Sequence, residues 1–527
     1  MPPRILVSDD LSSEGVDILR RAGVEVDVRV GLKPAELEEI IGDYDALAVR
    51  SATKVNAKLL GRAGRLKVVG RAGVGVDNID LEAATRRGVV VMNTPAGSST
   101  TVAELTLAHM LALARHLAAA TASVKSGKWE KKKFQGHELA GKTLGVVGIG
   151  NIGSIVVERC LSMKMNVIAY DPFISAEAAA QLGVTQVSLE ELWRQADVIS
   201  LHVPLTEQTR NLVNATSLAK MKQGALLVNC ARGGLVDEVA LADALGSGQL
   251  GGAALDVFEK EPPPADHPAF KHDNLICTPH LGASTEEAQA AVAVALAGQL
   301  ADYLTKGEVR NAVNLPSIPR ELLDSIAPYL ELGEKLGLLA AQIAPPSVRE
   351  VHIEMAGELS QAPHRPIAAQ VLKGLLRLVL DQPVNEVSAP IIAKERGLVL
   401  REDLNPEAQD YVSQLTVTLR DGAEATVAGT VFGKRELRVV RVNEFRLEAV
   451  PEGDIIMCEN DDAPGVVGNI GTALGAAGVN IARIFLSRDA ARRSAFSLIN
   501  VDSAPTPEVL EKLRRLEHVR RVRPIRL

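Results

Sequence analysis

Short apolar runs alternate with stretches of helical periodicity at the start of the chain. RILVSDD, VEVDVRV, DALAVRS, LKVVGRAG and VVVMNT predict strands, and LSSEGVDILRRAG and LEAATRRG predict helices between them. The strand runs are short and rich in Val, Ile and Leu, as strands buried on both faces of a parallel sheet are. From Thr100 to about Ser126 apolar positions recur at helical spacing, which predicts one long helix ending at Gly127. A second strand–helix series follows in TLGVVGIG, VIAYD, DVISLHV, ALLVNCARG, GGAALDV and NLICTPH, and then another long helix from about Ser284 to Lys306. These long helices are placed to connect domains.

The pattern changes after Pro316. Residues from about 320 to 452 mix helical stretches (LELGEKLGLLAAQI, IAAQVLKGLLRLVL) with strand-like alternation (LTVTLRDG, ATVAGTVFG, ELRVVRVNE). The last stretch reads strand (DIIMCEN), helix (GVVGNIGTALGAAG), two strands (NIARIFLSR, SAFSLINVD), helix (PEVLEKLRRL) and strand (VRRVRPI), the βαββαβ order of a ferredoxin-like unit. The fold class expected is α/β. Two Rossmann-like doubly wound parallel-sheet domains precede an α+β intervening domain and a βαββαβ domain.

With 527 residues the chain exceeds one hydrophobic core, and several domains are expected. A net charge of -7 argues against a nucleic-acid partner. Cys160, Cys230, Cys277 and Cys458 have neither metal-ligand nor redox spacing, so no metal site is expected and a reducing compartment is the default. The start, MPPRILVSDD, lacks signal-peptide features, and no apolar run approaches the roughly 20 residues of a membrane span. A cytoplasmic enzyme with no membrane partner is expected.

The strongest local signal is GVVGIGNIG. Gly148 permits a tight turn, Gly150 lets backbone approach a pyrophosphate, and Gly153 lets the following helix pack on the strand. Free amides at that helix start favour phosphates. Asp171 ends the next strand, where a carboxylate bonds ribose hydroxyls and repels a 2′-phosphate. No Arg follows it closely, so NAD is expected over NADP. Further on, Arg232, Glu261 and His280 each follow one of three successive strands, at the sheet edge where α/β proteins bind ligands. An imidazole takes a hydroxyl proton, a carboxylate orients the imidazole, and a guanidinium holds a substrate carboxylate. Any one of them alone is more often structural; their joint placement downstream of a nucleotide loop favours catalysis. His109 and His116 read as packing or surface residues, and His202 as lining the cofactor.

GVVGIGNIG, HVPLT, VNCARGGLVDE, ALDVFEKEP and TPHLGAST, in this order, resemble the D-isomer-specific 2-hydroxyacid dehydrogenases, over roughly residues 4 to 316. The resemblance implies a substrate domain of residues 1–98 plus 288–316, with a nucleotide domain of 99–287 inserted, an intervening domain of 317–452 and a regulatory ACT domain of 453–527. It implies a cofactor site of Gly148, Gly150, Asn151, Ile152, Gly153, Asp171, His202, Val203, Pro204, Thr209, Cys230, Ala231, Arg232, Asp256, His280 and Gly282. It makes Arg232 the substrate arginine, Glu261 the relay acid and His280 the general acid/base. VRSATKV, GRAGVGVDNID and KWEKKKFQGHELAGKTLGVVG are similar to segments of members that act on a phosphorylated 2-hydroxy acid. Substrate would then meet Arg50, Ser51, Val74, Gly75, Lys131 (in a neighbouring subunit), Arg232 and His280. Some members carry a second arginine where this chain has Ala52, which leaves phosphate binding to Arg50, Lys131 and the adjacent lysines. Lys131–Lys133 also read as a solvated charge run.

ENDDAPGVVGNIG and GVNIAR resemble ACT domains, which bind amino acids at paired interfaces. The resemblance implies a homo-oligomer, a tetramer, with L-serine as effector at Asn460, Asp462 and Asn480. Asn460 departs from relatives that have His or Tyr there. KRELRVVR reads as alternating charge on an edge strand or as an anion site. Other readings that remain open are a glyoxylate, lactate or 2-hydroxyglutarate dehydrogenase, and a non-catalytic NAD-sensing binding protein.

Overall fold

The structure is a computed structural model. It describes residues 2–527 except 96, 317, 319–321, 345–346, 379, 381–383, 408–409 and 490–492, together with the side chains of 176 and 423. The expected domain boundary at residue 317 lies outside the described residues.

The amino-terminal sheet contains β1 (Arg4–Val7), β2 (Glu25–Val28), β3 (Ala46–Val49), β4 (Val68–Arg71) and β5 (Val90–Met92), in the order β2-β1-β3-β4-β5, all parallel. One face is covered by the helix Glu286–Lys306, whose Val292, Leu296 and Leu300 are buried with Ile5, Val7, Val68 and Val90. Fully burying each such side chain contributes roughly 1.5–3 kcal/mol. Gly70 lies in mid-strand because a Cβ there would sit 2.7 Å from Leu296 Cδ1. The chain thus returns to its first sheet after completing the second.

That second sheet holds β6 (Thr143–Val147), β7 (Asn166–Tyr170), β8 (Thr185–Gln186), β9 (Val198–Leu201), β10 (Ala225–Asn229), β11 (Leu250–Leu255) and β12 (Leu275–Cys277). Its order, β12-β11-β10-β9-β6-β7-β8, is parallel throughout and reverses direction between β6 and β9. Ligands bind outside the carboxyl ends of strands at such a switch point.

The single helix expected from Thr100 to Ser126 is two, Ser99–Ala114 and Leu117–Lys125. His116 takes a left-handed conformation (φ 50°) between them, and the Ala114 carbonyl accepts a hydrogen bond from His137 N at 2.8 Å. Gly136 packs so closely there that a Cβ would lie 2.4 Å from Ala114 O. A tertiary contact thus takes the carbonyl that would have continued the helix.

The third sheet contains β13 (Glu350–Gly357), β14 (Val399–Asn405), β15 (Ser413–Asp421), β16 (Ala423–Phe432), β17 (Glu436–Val442) and β18 (Phe445–Ala449), in the order β14-β13-β15-β16-β17-β18. Only the β13–β14 pair is parallel. The expectation of an edge strand for KRELRVVR is corrected: β17 lies between β16 and β18. The helices Leu323–Ile343 and His364–Leu376 cover this sheet.

The last sheet is antiparallel: β19 (Asp454–Asp461), β20 (Ile481–Arg488), β21 (Ser494–Val501) and β22 (Val519–Arg526), in the order β20-β21-β19-β22. Phe445 stacks on Phe496 at 5.1 Å, joining the third sheet to the fourth. Val387 is buried with the amino-terminal sheet, and Asn385 Nδ2 donates to Gly88 O at 2.7 Å, which ties the third unit to the first.

Candidate active site

The glycine turn follows β6 and opens the helix Asn151–Ser162. Gly148 has φ 94°, and a Cβ on it would be 2.7 Å from His202 O. A Cβ on Gly153 would overlap Gly148 O at 2.1 Å, so only glycine lets the helix approach the turn. A Cβ on Gly150, the helix N-cap, meets no protein atom within 4 Å. Open space therefore lies beside the helix start at the sheet's carboxyl edge. Nearby, Asp171 accepts from Ile149 N and from Phe173 N, each at 2.8 Å. A helix N-terminus beside this open space, with a carboxylate one strand away, fits a dinucleotide's pyrophosphate and ribose.

His202 Nε2 and Ser200 Oγ are 2.8 Å apart, while its buried Nδ1 has no partner; burial pulls the imidazole down to about 4, so it is neutral. Thr209 Oγ1 donates to Pro204 O at 2.6 Å and shapes the loop after β9. Ala231 N donates to Asn229 Oδ1 at 3.0 Å, and Asn229 Nδ2 to Arg232 O at 2.9 Å, so Asn229 fixes the turn that presents Arg232.

The three residues read as catalytic follow β10, β11 and β12, adjacent strands of one sheet. His280 Nδ1 lies 2.8 Å from Glu261 Oε2, and Glu261 Oε1 accepts from Phe258 N at 3.1 Å. The loop that carries His280 hangs on Asp256, which is 1% exposed. Its carboxylate accepts from Thr278 Oγ1 at 2.6 Å, Leu281 N at 2.7 Å and Gly282 N at 2.8 Å. The Asp256 side chain is thus engaged by the loop it holds.

Across the crevice, the Arg232 guanidinium presses on the loop after β4, where a Cβ on Gly75 would overlap Arg232 Nη2. Its Nε is 3.0 Å from Asp77 Oδ2, an ion pair joining the second sheet's loop to the first's. Val74 O accepts from Asn93 Nδ2 at 2.5 Å and Gly73 N donates to Thr94 Oγ1 at 2.7 Å, which fixes that loop. Arg50 N donates to Asp9 Oδ2 at 2.6 Å and its Nη1 to Asp10 O at 3.3 Å. Arg50 and Ser51 line a cavity of about 650 Å³ at the ends of β1 and β3. Arg71 also converges here and was not among the residues singled out in the sequence. Its Nε is buried without a partner, and burial with the nearby Arg232 and Arg50 charges holds its pKa below the usual arginine value. The signal was present in GRAGVGVDNID, where the arginine ends a strand ahead of a glycine turn.

The family description "D-isomer specific 2-hydroxyacid dehydrogenase, NAD binding domain" matches residues 107–282, "D-3-phosphoglycerate dehydrogenase intervening domain" matches 325–443, and "ACT domain" matches 455–518. D-3-phosphoglycerate dehydrogenase of Archaeoglobus fulgidus is 43% identical over 519 residues, covering 98% of each chain. That of Methanocaldococcus jannaschii is 43% identical over 526 residues, covering 99% of this chain and 100% of its own. This chain belongs to the D-3-phosphoglycerate dehydrogenase family. Among solved structures, the TT0316 protein from Thermus thermophilus is similar at 39% identity with a TM-score of 0.55, covering 59% of this chain and 99% of that one. D-lactate dehydrogenase from Aquifex aeolicus, complexed with NAD and lactic acid, matches at 30% identity and a TM-score of 0.53, covering 60% and 100%. As a member of this family the chain is an NAD-dependent 2-hydroxyacid dehydrogenase with an intervening and an ACT domain.

Other residues that the family resemblance implies lie as follows. The Cys230 side chain turns into the core, with Sγ 3.4 Å from His109 Nδ1, and burial pushes its thiol up to about 12. Only its backbone remains to face a cofactor. His109 is buried and its Nε2 is 3.4 Å from Thr278 Oγ1, so it supports the His280 loop from behind. Lys131 begins an exposed turn, Lys131–Phe134, whose Lys133 Nζ is 4.0 Å from Asp273, just ahead of β12 and away from the catalytic loops. In the ACT domain, Asn460 is buried with an unpartnered Oδ1, and Asp462 Oδ1 is 3.3 Å from Arg488 Nε. Asn480 Nδ2 donates to Asp502 at 2.6 Å. Asn460 pairs with Ala495 on β21, whereas Asn480 precedes the Ile481–Val501 pair, so about 20 Å of strand separates them within one chain.

Proposed function

We propose that this chain catalyses the NAD-dependent oxidation of 3-phospho-D-glycerate to 3-phosphohydroxypyruvate, the first step of the phosphorylated route to L-serine. The observation that carries this reading is the His280–Glu261 pair at 2.8 Å on one wall of a crevice whose other wall meets Arg232 at Gly75. With Nδ1 taken by Glu261, His280 Nε2 is the nitrogen that accepts the C2 hydroxyl proton. Glu261 stabilises the imidazolium that results, as a charge partner does. Arg232 holds the substrate carboxylate through its Nη atoms, aided by the Val74 and Gly75 backbone. Arg50 and Arg71 supply positive charge for the phosphate, and Lys131 reaches it in the crevice of a neighbouring subunit. Bound NAD supplies the hydride acceptor.

A homo-oligomer, in this reading a tetramer, is also supported by the exposed apolar side chains Leu111, Leu117, Val124 and Trp129 along the connector, Trp129 being 84% exposed. L-serine would bind between two ACT domains, with Asn460 and Asp462 from one copy and Asn480 from the other. No helix among the described residues is long and apolar enough to cross a membrane, and the proposed compartment is the cytoplasm. A panel of 2-hydroxy acids, phosphorylated and not, tests substrate choice. NADH formation with 3-phosphoglycerate at a kcat/KM well above that for lactate or 2-hydroxyglutarate is expected. The reverse order would reject the phosphorylated substrate.

A further inference from the structure

The third sheet has two edges with different fates. At β18 the chain packs against β20 of the ACT sheet. At the other edge, among the described residues, β14 pairs with β13 alone, which leaves one row of backbone N–H and C=O groups without a strand partner. Val399, Leu400 and Leu404 on this strand are 52%, 38% and 46% exposed. A long, partly apolar open edge is a template for another strand.

The sequence VLREDLN identifies which strand fits. Laid antiparallel against a copy of itself with Glu402 opposite its image, it sets Arg401 against Asp403 and Leu400 against Leu404. Both pairings recur on the far side of the axis by symmetry. The parallel register with β13 puts Leu400 and Leu404 beside Val351 and Met355 on the apolar face, and Arg401 and Asp403 beside His352 and Glu354 on the other. Each trans pair therefore joins side chains of one face. Arg401 is 3.2 Å from Glu350 and Asp403 is 2.7 Å from His352, yet their side chains are 65% and 70% exposed and keep polar atoms free for a partner. Glu402 against Glu402 is the one like-charge pair, and each carboxylate has its own His364 at 3.8 Å.

We infer that two copies of this chain join through antiparallel β14 strands, making one continuous sheet across their intervening domains. The contact is isologous, as two-fold interfaces are. The competing reading is that Arg401, Glu402 and Asp403 are charges that keep the edge single.

The test traps the contact covalently in the full chain. In a Cys277→Ser background, which removes the exposed cysteine, Glu402→Cys places two thiols across the axis. Directly opposite residues lie within reach of a disulfide. Mild oxidation is expected to give a linked dimer on a non-reducing gel. Adding Arg401→Asp, which sets Asp against Asp twice, is expected to cut the yield about tenfold, and adding Asp403→Arg to that variant to restore it. No linked dimer, or a yield indifferent to the charge reversal, overturns the inference. Should Glu402→Cys fail to unfold cooperatively, the same charge series with native Glu402 is followed by sedimentation equilibrium. Fewer subunits per particle with Arg401→Asp, recovered in the double swap, supports the contact, and an unchanged particle mass rejects it.

Discussion

At the scale of single residues, chemistry was legible where it depended on residue type at a strand end. Arg232, Glu261 and His280 come together because β10, β11 and β12 are neighbours in one parallel sheet. Arg71 and Asp77 were not legible, since their roles depend on a second loop folding across the crevice onto Arg232. The two should respond differently to removal. Arg71→Ala deletes a buried charge facing the proposed phosphate, and a charge-assisted hydrogen bond contributes about 1.5–3 kcal/mol. KM for 3-phosphoglycerate is expected to rise by about tenfold or more, with KM for NAD unchanged. Asp77 is 65% exposed, so its ion pair contributes at most about 1 kcal/mol, and Asp77→Ala is expected to shift KM by no more than about fivefold. Steady-state kinetics of both variants separates the two. His202 makes a pH prediction. Its folded pKa of about 4 lies below the ordinary 6.5, so the unfolded chain binds the proton first as pH falls. Stability is then full above 6.5 and declines toward 4, by at most about 3 kcal/mol. His202→Asn is expected to flatten that window in chemical denaturation, and an equally steep decline in the variant would contradict the assignment.

At the scale of elements, periodicity located most strands and helices, and several of the misses have a physical cause. The break at His116 comes from the Gly136 contact, which no local pattern announces. β8 is two residues long, too short to show a period. β14 is exposed on both faces and carries no alternation; β13 does alternate, with Val351, Ile353 and Met355 buried, yet no strand is predicted there from the sequence. The paired glycines of the intervening domain mark where its helices touch. A Cβ on Gly337 would lie 2.1 Å from Val371 O, and one on Gly374 would lie 2.0 Å from Glu334 O. Overpacking of this kind destabilises by about 1–3 kcal/mol or more. Gly337→Ala is expected to lower the unfolding temperature of the intervening domain in calorimetry while leaving NAD affinity intact. An unchanged thermogram would show that the helices part at little cost.

At the scale of the whole molecule, the amino-terminal and nucleotide sheets form the crevice, and the intervening unit contacts the amino-terminal unit through Asn385 at Gly88 and the Arg86–Glu395 pair at 2.8 Å. The proposed serine site needs two copies, because one chain holds Asn460 and Asn480 at opposite ends of its ACT sheet. Millimolar L-serine is expected to lower turnover and raise thermal stability, and Asn480→Ala to abolish both effects without changing uninhibited kcat. Serine that alters neither quantity in the unmodified chain would reject the effector. In the proposed reaction His280 takes the C2 hydroxyl proton as hydride leaves, so turnover of His280→Ala with saturating NAD and 3-phosphoglycerate reads the step itself. A fall of about a hundredfold or more in kcat, with NAD affinity unchanged by calorimetric titration, is the expected result. Near-normal turnover in that variant would remove His280 from the proton-transfer step.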